Sequence, residues 1–192
     1  MNERTFRAAH AHRLDDPRRR EWLPPADVLD ALLPLEGKTV ADIGAGTGYF
    51  TLPMAQLPGA PDVIYAVDIQ PEMLSLLQNR LPGDAVEKVR LIEGSATHTT
   101  LPDASCDLLL LANIWHELDD TPAVIAECRR ILKKQGTLAI LDWRPDVDPQ
   151  FGPPVEHRIP QAAVCQELAD NGGHGSRQQL IGQYSYLILT QL

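Results

Sequence analysis

Two rhythms alternate along this chain. Short apolar runs, "KTVADIG", "DVIYAVD", "KVRLIEG", "CDLLLLAN" and "TLAILDW", read as strands. The fourth is apolar on both parities, as a parallel strand covered on both faces requires. Between the runs the apolar spacing shifts to three and four residues. From Gly48, "YFTLPMAQL" reads as a helix with Pro53 in or near its first turn. Pro71 opens a helix whose Met73, Leu74, Leu77 and Leu81 share a face, and Pro82 with Gly83 stops it. Thr121 and Pro122 cap and start another. Its inward residues are Val124, Ile125, Cys128, Ile131 and Leu132, its last turn holds Lys133 and Lys134, and Gly136 ends it. Ahead of the first strand, "WLPPADVLDALLPL" predicts a helix with Val28, Leu29, Leu32 and Leu33 on one side.

Strands alternating with helices predict an α/β fold, a doubly wound, mostly parallel sheet connected by right-handed crossovers. The polar stretch "SATHTTLPDAS" holds too many breakers for a helix. After the fifth strand come the loop "RPDVDPQFGPPVEHR", a helix over residues 160–171 and "YSYLILTQL", which alternates as a strand. We therefore expect one domain over residues 1–192: a helical extension (1–36), a core (37–143), and a loop with closing strands (144–192). A chain of 192 residues buries a core without disulfide or metal staples.

Composition narrows the class. Hydrophobic residues at 44% and charged residues at 22% are ordinary for a soluble globular protein. The formal net charge of −9 argues against a nucleic-acid partner, which needs a basic face. Arg18, Arg19 and Arg20 run together, and we read them as a solvated helix face. Cys106, Cys128 and Cys165 have neither paired framework nor CxxC spacing, which fits a reducing compartment. With no signal-like or spanning apolar run, a cytoplasmic protein without membrane contact is expected.

The chemistry starts at "VADIGAGTGYF", residues 40–50. Gly44 and Gly46 begin a dinucleotide-type turn, but Tyr49 stands at the third glycine position and Gly48 comes one residue early. Asp42, at the end of the strand, would repel a pyrophosphate by roughly 4 kcal/mol at about 4 Å and an effective dielectric near 20. A cationic ligand is attracted instead. Asp68 follows 20 residues after Gly48, at the end of the second strand, where a carboxylate accepts both hydroxyls of a ribose. The ligand so described has a ribose, a positive charge and no phosphate, and S-adenosylmethionine has all three.

Residues 40–51, 66–70, "GSA" at 94–96, "CDLLLLANIWHEL" and "LKKQGTLAILDW" together resemble the successive motifs of small class I S-adenosylmethionine-dependent methyltransferases of the type 11 and type 25 kind. The resemblance covers about residues 38–143 and implies a Rossmann-like, seven-stranded sheet whose last strand is antiparallel, a role "YSYLILTQL" fits. It also implies site roles. Asp42, Gly44, Ala45 and Gly46 would hold the methionine end and Asp68 the ribose; Ile69 and Met73 would line the adenine, Ser95 and Ala96 touch its edge, and Asn113 sit near the transferable methyl. Two positions depart from the family pattern. Ser95 stands where Asp is common, and a neutral acceptor makes a weaker bond to the adenine amino group than a charged one. Gly173 and His174 follow Gly172 where relatives often carry an aromatic residue.

The implied activity is methyl transfer to a small-molecule acceptor. Two other readings stay open: an S-adenosylmethionine-binding sensor or regulatory module without transferase activity, and a nicotinamide-dependent oxidoreductase. His116, in "NIWHEL", is the candidate catalytic base, with a hydrogen-bonded turn histidine as its alternative. Glu117 reads as a helix-start charge. Arg158, beside His157, either grips an anionic acceptor or makes a surface ion pair. Trp22 either covers the cofactor or packs the extension onto the core. His10 and His12 lack a third ligand, and the cysteines read as core, so no metal site is expected. The acceptor's identity and the oligomeric state are not legible in the residues.

Overall fold

The computed structural model describes residue 11 and residues 14–147 and 151–192. His10 and His12 lie outside the described residues. The elements run α1 (Arg19–Trp22), α2 (Pro25–Leu32), β1 (Thr39–Ile43), α3 (Thr51–Ala55), β2 (Val63–Asp68), α4 (Pro71–Gln78), β3 (Val89–Glu93), β4 (Cys106–Ala112), α5 (Thr121–Ile131), β5 (Leu132–Trp143), α6 (Gln161–Asp170), β6 (His174–Ile181) and β7 (Ser185–Gln191). Single 3₁₀ turns lie at Trp115–Glu117 and Val155–His157.

The strands form one seven-stranded sheet in the order β3-β2-β1-β4-β5-β7-β6. β1 to β5 are parallel, while β7 runs antiparallel to β5 and β6 antiparallel to β7. Strand parity divides the core in two. Val40, Leu108 and Leu110 pack on one face with α2, α3 and Leu77 of α4, while Ala41, Ile43, Leu109 and Leu111 pack on the other with α5 and α6. The unbroken apolar run of β4 follows from this, since each face needs its own leucines. Strand order reverses between β1 and β4, where Asp42 pairs with Ala66 on one side and Leu110 on the other. A crevice opens at the carboxyl ends of such a switch point.

The sheet is the doubly wound fold that the alternation predicts, and its seventh strand is a segment we did not read as one. β6 is exposed over all but its last residue, so "HGSRQQLI" carries no apolar alternation. Only its pairing to β7 makes it a strand. Several boundaries also differ: α3 starts at Thr51, and α4 ends at Gln78, before Leu81 and Pro82. α5 ends at Ile131, because Leu132 already pairs with Cys106 and opens β5; Lys133, Lys134 and Gly136 belong to that strand, and Arg129 with Arg130 fill the helix's last turn. Its N-cap is Asp120, which accepts from the Ala123 amide at 3.0 Å. Leu33 follows α2 as its C-cap residue and is exposed.

Candidate functional site

The turn after β1 is built almost wholly by backbone amides. Gly44 and Ala45 donate to the Val67 carbonyl at 2.8 and 3.0 Å, fastening the turn to β2. The Gly46 amide donates to Asp68 Oδ2 at 2.8 Å, and the Gln70 amide to Asp68 Oδ1 at 2.9 Å. Gly44 is left-handed at φ +75°, and a Cβ there would meet the Ile114 side chain at 2.7 Å. Glycine is therefore required at that position. Beneath the turn, Asp42 Oδ2 accepts from Thr51 Oγ1 at 2.6 Å, which also ties β1 to α3. Burial pushes the Asp42 carboxyl up to about 6, with the Thr51 bond opposing and the nearby Asp68 charge assisting. Burial raises Asp68 too, against the pull of its backbone donors.

These groups open onto a cavity of about 780 Å³. Every residue expected from the sequence to serve the cofactor, Asp42, Gly44, Ala45, Gly46, Asp68, Ile69, Met73, Ser95, Ala96 and Asn113, lines it, as does His116. Met73 is buried and Ile69 half exposed. Ser95 Oγ shares a hydrogen bond with Thr97 Oγ1 at 3.0 Å. Asn113 is left-handed at φ +58°, and among the described residues both polar atoms of its buried side chain lack a hydrogen-bond partner. Its amide therefore has hydrogen-bonding capacity to offer a polar group in the cavity.

The far end of the cavity is held by side chains. His116 Nδ1 lies 2.8 Å from Asp142 Oδ1, and the His116 amide donates to Asp142 Oδ2 at 2.9 Å. The Trp143 amide donates to Asp142 Oδ1 at 2.7 Å. An aspartate accepting from Nδ1–H leaves Nε2 as the nitrogen with a lone pair. Burial lowers the His116 pKa, but the charge and hydrogen bond of Asp142, with Glu117 3.8 Å from Nε2, outweigh it, and the net shift is upward. Asp142 escaped the sequence reading. The available signal was an acidic residue near the carboxyl end of the fifth strand, where Asp42 and Asp68 sit in the first and second.

Trp22 packs on Trp143 and stacks on Phe151, with ring centroids 4.9 and 5.2 Å apart, so the extension closes on the loop after β5. Trp22 and Trp143 both line the cavity, as does His157. Arg158 fulfils neither of its expected roles. It is buried and donates to the carbonyls of Pro153, Arg144 and Phe151 at 3.0, 2.9 and 2.5 Å. It fastens the loop from inside. Arg19 is a second correction: it is buried and lines the cavity, whereas Arg18 and Arg20 are exposed as expected. The three cysteines carry no disulfide, burial pushes Cys128 up to about 12, and among the described residues no cluster of three or more His, Cys, Asp or Glu can hold a metal. Among the same residues, no helix is long and apolar enough to cross a membrane.

Residues 41–140 match the model of a methyltransferase domain family. The chain belongs to that family. An uncharacterised methyltransferase of Mycobacterium tuberculosis is 38% identical over 117 residues, covering 61% of this chain and 44% of the relative. A demethylmenaquinone methyltransferase of Geobacillus stearothermophilus is 26% identical over 116 residues, covering 60% and 50%. The chain thus spans about half the length of these curated relatives. Among solved structures, a SAM-dependent methyltransferase from Aquifex aeolicus superposes with a TM-score of 0.89 at 28% identity, covering 97% of this chain and 98% of the other. The seven-stranded sheet is the methyltransferase form of the Rossmann-like fold.

Proposed function

We propose that this methyltransferase-family chain binds S-adenosylmethionine and transfers its methyl group to a small-molecule acceptor. The observation that carries the reading is the cavity at the sheet's switch point, floored by Asp42 and Asp68 and facing the orphaned amide of Asn113. The residues fit the cofactor: a buried carboxylate for its ammonium and a second with spare lone pairs for its ribose. When bound, the cofactor supplies a methyl group on a sulfonium, ready for in-line displacement.

The chain's own groups do the rest. Asp42, Gly44, Ala45 and Gly46 hold the methionine end, and Asp68 takes the ribose while pinning the Gly46 and Gln70 amides. Ile69 and Met73 flank the adenine, Ser95 and Ala96 meet its edge, and Asn113 offers its amide beside the reacting centre. His116, its Nδ1 turned to Asp142, accepts the acceptor's proton at Nε2. Trp22 and Trp143 exclude water. Enclosure and alignment supply most of the acceleration. The acceptor is small because the extension and the loop after β5 close over this end of the cavity; the relative named for demethylmenaquinone, a small molecule, supports that size class.

Labelled methyl transfer tests the reading. Incubating the protein with methyl-labelled S-adenosylmethionine and a small-metabolite extract is expected to move label into an extract component. Cofactor binding without any such transfer would leave the sensor reading in its place.

A further inference from the structure

The charges that line the cavity are mostly of one sign. Among the described residues the lining holds the carboxylates of Asp42, Asp68, Glu117, Asp119 and Asp120, with Arg19 as its one Lys or Arg. Asp42 and Asp68 serve the cofactor end, and Arg19 lies 3.8 Å over the Tyr49 ring. Glu117, Asp119 and Asp120 follow His116 on the loop after β4. The lining beyond the candidate base is therefore anionic, and a cleft of one sign draws ligands of the other.

The two features that could welcome an anionic acceptor are already engaged. A helix N-terminus attracts anions, but at α5 the Asp120 side chain holds that place, accepting from the Ala123 amide at 3.0 Å. Arg158 is buried, with its guanidinium turned to three loop carbonyls. His116 reports the sign of the local field. Burial alone would make it less basic, yet Asp142, 2.8 Å from Nδ1, and Glu117, 3.8 Å from Nε2, hold its pKa above the ordinary value. Asn113 lines the same cavity, and its buried amide oxygen, without a partner among the described residues, can accept an N–H.

We infer that the acceptor is a basic amine, met as its ammonium, and that Glu117 selects it; the inference rests on the transferase reading above. The ammonium gives one proton to His116 Nε2. The lone pair so released forms the new bond from nitrogen to the methyl carbon, and the electron pair of the breaking carbon–sulfur bond stays on sulfur. The product is an N-methylammonium. The positive charge that leaves sulfur thus arrives on nitrogen beside the Glu117 carboxylate, whereas a hydroxyl or carboxylate acceptor ends neutral and gains nothing there. The proton on His116 passes to water as the product leaves.

A metabolite extract divided by charge tests this without knowing the acceptor. Fractions retained by a cation exchanger, by an anion exchanger and by neither are each incubated with the protein and S-adenosylmethionine carrying a deuterated methyl group, and mass spectrometry locates the product. Label is expected in the cation-exchange fraction, on nitrogen. Label only in the other fractions, or on oxygen or carbon in any fraction, would overturn the amine and leave methyl transfer standing. Label in none, with S-adenosylhomocysteine still bound, would remove the transferase reading as well. Glu117→Gln should lower kcat/KM for the labelled amine about tenfold or more, and Glu117→Asp should recover part of that loss. Calorimetry should find S-adenosylhomocysteine bound by both variants within about threefold of the unmodified protein, which reports a folded pocket. An unchanged kcat/KM in Glu117→Gln would overturn its role in selection.

Discussion

The two ends of the cavity are built in different ways. At the cofactor end, Asp42 to Gly48 and Asp68 to Met73 are two continuous stretches, and backbone amides make most of the bonds that shape them. At the other end, His116, the adjacent pair Asp142 and Trp143, Trp22 and Arg158 come from four separate segments, and each contact between segments uses a side chain. A site made of backbone needs a fixed spacing of glycines and acids, so it leaves a motif. A site made of side chains needs only the right neighbours in space.

Substitutions can break that contrast, and the largest effect is expected at the side-chain end. His116→Ala should lower methyl-transfer turnover by about a hundredfold with little change in cofactor affinity, measured by steady-state kinetics and calorimetry; a loss under tenfold would remove His116 as base. Asp142→Asn should lower the pH at which activity appears. Because the folded His116 pKa lies above its ordinary value, activity rises with pH through a point above 6.5, and the substitution should shift that point downward. The same upward shift means that the stability His116 contributes is full below 6.5 and lost as pH rises through the folded value.

Next in size is Arg158→Ala, which leaves three loop carbonyls without their donor and should cost about 2–4 kcal/mol in denaturant unfolding. Asp42→Asn tests the backbone end, and its two effects should have opposite signs. The folded carboxyl titrates near 6 instead of 3.8, so its contribution to stability is present below 3.8 and lost as pH rises through 6. Removing the charge should therefore stabilise the ligand-free protein by about 1–3 kcal/mol at pH 7.5 while weakening S-adenosylhomocysteine about tenfold or more. The smallest effect is a gain. Ser95→Asp should tighten S-adenosylhomocysteine by a few-fold by offering a charged acceptor to the adenine edge.

What the sequence made legible follows the same division. The parallel core could be read because β1, β2 and β4 are buried on both faces and their apolar runs have no other explanation. β6 could not, since an exposed polar strand leaves no pattern until β7 pairs with it. Every cofactor-end candidate lies around one cavity because the motif itself specifies the turn. Asp142 and Arg19 were missed for a shared reason: burial of a charge is decided by what covers it. Trp22 and the loop after β5 lie far apart in sequence, and nothing in "RRREW" tells its middle arginine from its neighbours.

The central claim is that a buried carboxylate at the end of β1 selects a cationic nucleoside without phosphate. Titration calorimetry of the same protein with S-adenosylmethionine and with NAD tests it most directly. The account predicts saturable S-adenosylmethionine binding that weakens as pH falls through about 6, where Asp42 takes up its proton, and no heat with NAD. NAD binding at the same site, or S-adenosylmethionine affinity unchanged across that range and in Asp42→Asn, would contradict it.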